Sequence, residues 1–151
     1  MSTTLTFVNS FQKDLLNGKH NFDGTSPNTY KVALFASTSN IAASSTLYSA
    51  LTNEVANGNG YTTGGATVDP AVTDASSPDT TARLDIPDAA WTSSTITARW
   101  AVLYNSSNSA IVAFILLDNT PGDVSSASGT FTVDMPAAGD ATSFYRLPLP
   151  A

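Results

Sequence analysis

A single histidine, His20, and the absence of cysteine bound the chemistry open to this 151-residue chain. A Ser-His-Asp triad could be built only around His20, and thiol nucleophiles and Cys-ligated zinc are excluded. His20 is followed by Asn21, Phe22 and Asp23, a turn-like setting in which an imidazole readily donates to backbone carbonyls, so a structural role is expected of it. Asp69, Asp74, Asp79, Asp85 and Asp88 stand in proline-broken, serine-rich sequence. General acid work needs one carboxylate in an apolar pocket, so these read as turn and solubility residues. The glycines from Gly58 to Gly65 lack the Gly-Lys-Ser/Thr ending of a phosphate loop, and no helix is expected after them. Asp118, Asn119 and Asp123 are hard oxygen ligands of the type calcium takes, but their spacing is not that of an EF-hand, and a turn at Pro121-Gly122 explains them equally. These residues assign no catalytic group, no metal site and no cofactor.

Binding is the other use of such residues. Trp91, Trp100, Tyr61 and Tyr104, with neighbouring Asn and Asp, could stack on sugar rings. Trp100 lies in the most apolar strand and is expected in the core, which leaves Tyr61, in the glycine loop, as the exposed candidate. Asn105-Ser106-Ser107 is a glycosylation sequon that reads as a turn. Leu47, Tyr48 and Leu51 are anchors in an otherwise small and polar stretch, and with Tyr61 they form the candidate interface. Glu54, the one glutamate, and Arg99, set inside the most apolar strand, are expected to form a bidentate pair that pins residues 54–65 onto the fold, because a buried guanidinium must find acceptors.

The elements that would position these residues are mostly strands. Serine and threonine favour strands and turns over helix interiors. The one helix is expected over 10–17: Phe11, Leu15 and Leu16 share a face, Asn9 and Gln12 have capping-box spacing, and Gly18 suits a left-handed C-terminal cap. Residues 30–35 alternate with apolar groups on both faces, as in a central strand. The connection 36–53 is long for a compact domain and therefore functional or partnered. Strands are expected at 66–73 and 82–86, where Pro70 and Pro87 mark edges or ends. Residues 95–104 and 110–118 read as an antiparallel hairpin at the centre of the core, with further strands at 130–135 and 143–149. Without helical crossovers this makes an all-β, antiparallel sandwich of Greek-key or jelly-roll type with one short N-terminal helix. The chain reads as one domain, 1–151, with an N-terminal arm and helix over 1–28 and strands over 29–149.

Composition narrows the function classes. Charged residues make up 12% and the net charge is −6, whereas about a quarter charged is usual; the polar share sits in neutral Ser, Thr and Asn. Disordered acidic tails and coiled coils are excluded. Six basic against twelve acidic residues leave no footprint for a phosphate backbone, so no nucleic-acid partner is expected. The N-terminal residues lack a signal-peptide pattern and no apolar run would span a membrane, which predicts a soluble protein made in the cytosol.

Four pieces of sequence carry a resemblance. They are Phe11-x-x-Asp14-Leu15 with Gly18-x-His20-x-Phe22; residues 30–35; Tyr48-x-x-Leu51-Thr-Asn-Glu54-Val with Gly58-x-Gly60-Tyr-x-x-Gly64-Gly65; and residues 91–105. In this order, over residues 11–105, the chain resembles a family of small virion structural proteins of tailed bacteriophages. The Pro-rich end, Pro148-Leu149-Pro150, departs from that pattern. The resemblance implies a non-enzymatic particle component in the virion. The first expectation is a capsid decoration (cement) protein, bound in many copies to the major capsid protein and often trimeric. The alternative is a tail, fibre or baseplate component, with or without contact to host glycans.

Overall fold

The computed structural model describes residues 3–24, 28–74, 81–120, 122–136 and 143–147. Its centre is a five-stranded antiparallel sheet built from β1 (Thr4–Phe7), β2 (Tyr30–Phe35), β3 (Ala66–Val68), β8 (Trp100–Asn105) and β9 (Ile111–Leu116), in the order β1-β9-β8-β2-β3. Sequence neighbours are not sheet neighbours for β1 and β2, the crossing connections a Greek-key arrangement requires. The expected hairpin is β8–β9, with Ala101 opposite Ile115 and a bulge between Leu103 and Tyr104. Both strands are buried almost throughout because the sheet is covered on both faces. β1 corrects the expectation of an arm over residues 1–28: Leu5 and Phe7 alternate with Thr4 and Thr6, and this short period-two run pairs with β9.

The register places Leu5, Phe7, Tyr30, Val32, Leu34, Leu103 and Ile115 on one face. Against it stand α1 (Phe11–Leu16) and a smaller sheet of β4 (Ala71–Asp74), β5 (Ala82–Asp85) and β12 (Tyr145–Leu147), ordered β12-β5-β4. Phe7 packs on Phe144 and Tyr145 at 5.3 Å, and Phe11 meets Tyr145 at 5.0 Å. Offset and edge-on ring contacts at these separations are favourable. Two further ribbons, β6 (Ala89–Ser94) with β11 (Gly129–Val133) and β7 (Thr97–Ala98) with β10 (Val124–Ser125), complete the fold. Trp91, Phe131 and Val133 of the first ribbon are buried. Pro70 and Pro87 sit between strands, as expected of a residue that cannot donate to a ladder.

The helix is one residue shorter at each end than its pattern suggests, and the capping box is absent: Ser10 is the N-cap and makes no side-chain capping bond. Its C-terminal end follows expectation. Gly18 has φ +72° and its N–H donates to Leu15 O at 3.1 Å, while Lys19 N–H reaches Asp14 O at 2.9 Å, a left-handed cap. Asp79 and residues 148–150 lie outside the described residues. Among the described residues no helix is long and apolar enough to cross a membrane.

Candidate functional site

β2 leaves half of one edge unpaired, because β3 covers only Tyr30 to Val32. Residues 53–55 take over from there: Val55 N–H donates to Leu34 O and Ala36 N–H to Asn53 O, both at 2.9 Å, and Phe35 bridges to Glu54. The remaining amide, Leu34 N–H, donates to the Tyr61 hydroxyl at 3.0 Å. A tyrosine thus completes a ladder that backbone does not, satisfying a buried donor that would otherwise cost about 1–3 kcal/mol.

Glu54 is the hub of this edge. Its Oε1 accepts from the Tyr61 hydroxyl at 2.6 Å and from Gly64 N–H at 2.7 Å, and its Oε2 accepts from the Tyr48 hydroxyl at 2.5 Å. Tyr48 also stacks face to face on Tyr104, with centroids 4.0 Å apart, and the Tyr104 hydroxyl donates to Gly64 O at 2.8 Å. Burial, reinforced by the Glu54 carboxylate, pushes the Tyr48 and Tyr61 hydroxyls well above the ordinary tyrosine range, and Tyr104 moves the same way. They therefore act as fixed hydrogen-bond donors.

The loop 54–65 is pinned as expected, but not by the expected pair. Arg99 Nε donates to Asp123 Oδ1 at 2.8 Å, and the Glu54 carboxylate is occupied by two tyrosines and an amide. Arg99 N–H donates to Phe35 O and Glu54 lies opposite Phe35 across the bridge, yet their side chains serve different partners. A mostly buried guanidinium between two strands reaches a nearby aspartate more cheaply than a carboxylate that neutral donors already hold.

The candidate interface residues divide. Tyr61 is buried, 2% exposed, and packs on Trp91 at 5.8 Å, which overturns its reading as an exposed sugar-stacking ring. Tyr48 and Leu51 pack back on the core, and Leu47, 41% exposed, stays at the surface. The connection 36–53 is partnered within the chain: Tyr48 N–H donates to Ser109 O, Ile111 N–H to Thr46 O, and Leu47 bridges to Ala110. Trp91 is core; Trp100 is half-buried and edge-on to Phe114. Gly65 has φ +80°, and a Cβ there would lie 1.9 Å from Val32 O, so glycine lets the loop close on β2.

The remaining candidates have structural duties. Asn105 is fully buried: its amide donates to Lys19 O at 2.8 Å and to Asn28 Oδ1 at 2.9 Å, tying the β8 end to the N-terminal segment. Asp118 Oδ1 accepts from the backbone and hydroxyl of Thr120, Asn119 from Thr4, and Asp123 from Arg99. Asp88 accepts from Met135 N–H. Among the described residues no three of His, Asp and Glu gather as a metal would require. His20 is 4% exposed among Phe11, Phe22 and Tyr30. Burial lowers its pKa, with Lys19 acting in the same sense and Asp14 against it. The backbone-capping role expected of the imidazole is not seen; aromatic packing holds it.

Sequence reasoning singled out Glu54, Tyr48 and Tyr61 but missed that they act together; the available signal was their spacing, Tyr48 six residues before Glu54 and Tyr61 seven after it across a glycine loop. The chain matches no family model, no curated protein and no solved structure.

Proposed function

We propose that the chain is a non-enzymatic virion structural protein of a tailed bacteriophage, bound in many copies, as a homotrimer, to the major capsid protein as a decoration protein. The observation that carries this reading is the ordered resemblance over residues 11–105. What supports it is that the resembling pieces meet in space: Tyr48, Glu54, Tyr61 and Gly64 make one latch on β2, and Phe11, His20, Phe22 and Tyr30 make one aromatic cluster. A motif set whose members build the same scaffold is more specific than its separate parts.

The chemistry at hand fits a passive role. The one imidazole is packed among aromatic rings, and the one glutamate is held by neutral donors inside the fold. Neither is placed to shuttle protons at an open surface. The test is the number of copies per particle, by gel densitometry of purified virions against the coat protein. Hundreds of copies are expected; a few to a few tens would assign the chain to the tail, fibre or baseplate, and absence from the particle would overturn the reading.

A further inference from the structure

We propose that the open edge of β4 and the valley beside it are a docking site for an extended segment of a partner protein, one carrying an aliphatic side chain and a lysine or arginine. This deepens the decoration reading by naming the surface through which a lattice neighbour is held.

β4 is the outer strand of its sheet. It pairs with β5 on one side, and among the described residues no strand pairs with the other. Ala71, Val72 and Thr73 are all exposed. Such an edge is a template for a further strand, and binding proteins use it that way: main-chain bonds give affinity and flanking pockets give selectivity. Facing the edge across a valley of about 690 Å³ runs the segment from Leu15 to Gly24.

The two ends of the valley differ in chemistry. One end opens into an apolar cavity of about 230 Å³ between Phe11, Leu15 and Phe22 on one side and Val72, Leu84 and Leu147 on the other. Val72 and Leu147 are 54% and 51% exposed, unusual for residues of this size. The other end is lined by Asp69 and continues past Asp85 and Asp88. Among the described residues no lysine or arginine lines that end. His20 forms part of the wall, 4% exposed and with neither ring nitrogen hydrogen-bonded among the described residues.

Each feature selects part of the occupant. The strand edge selects an extended backbone, the cavity an aliphatic side chain, and the carboxylates a cation. A second copy fits less well, because each chain carries a net charge of −6.

The test uses the full chain and the peptide acetyl-Lys-Val-Thr-Val-Lys-amide, whose palindromic sequence presents lysine to the acidic end in either strand direction. Binding is followed by the methyl resonances of Val72 and Leu147 and by the His20 ring. Saturable shifts at these groups are expected. The peptide with glutamate in place of lysine, and the lysine peptide N-methylated at both valines, should each bind at least about tenfold more weakly. Asp69→Lys and Val72→Asp, both at exposed positions, should weaken the lysine peptide similarly without lowering the melting temperature. Unsaturable shifts, equal binding of the glutamate peptide, or unchanged binding to Asp69→Lys would overturn the proposal. Shifts that track protein concentration without peptide would replace it with self-association. The copy number on the particle is a separate readout, so a failed docking site leaves the decoration reading to stand or fall by itself.

Discussion

Tyr61 donates its hydroxyl proton to Glu54 Oε1 at 2.6 Å while its own hydroxyl oxygen accepts Leu34 N–H at 3.0 Å. The pair therefore does two jobs at one point: it completes the hydrogen bonding of β2 and holds the glycine loop against it. The two side chains are seven residues apart, and the loop between them closes because its glycines take positive φ.

Removing the charge of this pair should loosen the loop. Glu54→Gln replaces one acceptor with a donor facing groups that already donate, and the loss is expected at about 2 kcal/mol, a fall in Tm of about 6 °C. Tyr61→Phe should cost a comparable amount, and the double variant should lose less than the sum, since the sites share one interaction. Arg99→Met combined with Glu54→Gln should instead be additive to within about 0.5 kcal/mol, because the two side chains serve different partners. Chemical denaturation of the five variants measures all of this.

Alkaline titration reads the same cluster. Tyr30, Tyr48, Tyr61 and Tyr104 have pKa values raised by burial, with Glu54 adding to the last three. The folded state thus keeps its protons where the unfolded chain loses them, near pH 10, so stability is whole below that pH and declines above it. Ultraviolet titration should show tyrosinate from these residues appearing together with unfolding rather than before it.

Acid acts through His20. Its folded pKa is lowered by burial and by Lys19, with Asp14 opposing, so the unfolded chain binds the proton first. Stability should be fully kept above about pH 6.5 and fall as the pH drops below it. His20 is the chain's one histidine, so His20→Leu should flatten the dependence between about pH 6.5 and 5, measured as the denaturation midpoint against pH.

Glycine substitutions separate two kinds of demand. Gly65→Ala would place a Cβ against Val32 O and should destabilise by more than about 3 kcal/mol or prevent folding. Gly18→Ala, at φ +72° with open space around it, should cost about 1 kcal/mol. Thermal unfolding of the two variants tests the contrast.

The strands were legible where local pattern and burial agree. Residues 30–35, 100–105 and 111–116 alternate or run apolar because they sit at the centre of a covered sheet. The edge strand β1 was missed because a four-residue run carries little periodic signal, and β6 because Trp91 is the one large apolar residue within it. At the candidate site, the sequence marked Glu54 and Arg99 as residues needing partners but could not choose them. Asp123 lies on a loop that the β7–β10 pairing brings to Arg99, while Tyr61 comes to Glu54 through the fold of the glycine loop and Tyr48 from the turn that precedes Glu54. The first outcome depends on a strand pairing that residue types do not encode locally, and the second on the backbone path of the loop, which spacing alone does not fix. Tyr61 looked exposed for the same reason: glycine neighbours suggest a surface loop, and the hydroxyl turned inward to meet Leu34.

The central claim is that this chain coats a capsid lattice, and a map of the virion tests it most directly. Density matching this fold is expected at repeated positions over the coat, grouped in threes, and is expected to be lost from particles made without the chain. Density confined to the tail or baseplate, or an unchanged shell in particles lacking the chain, would contradict it.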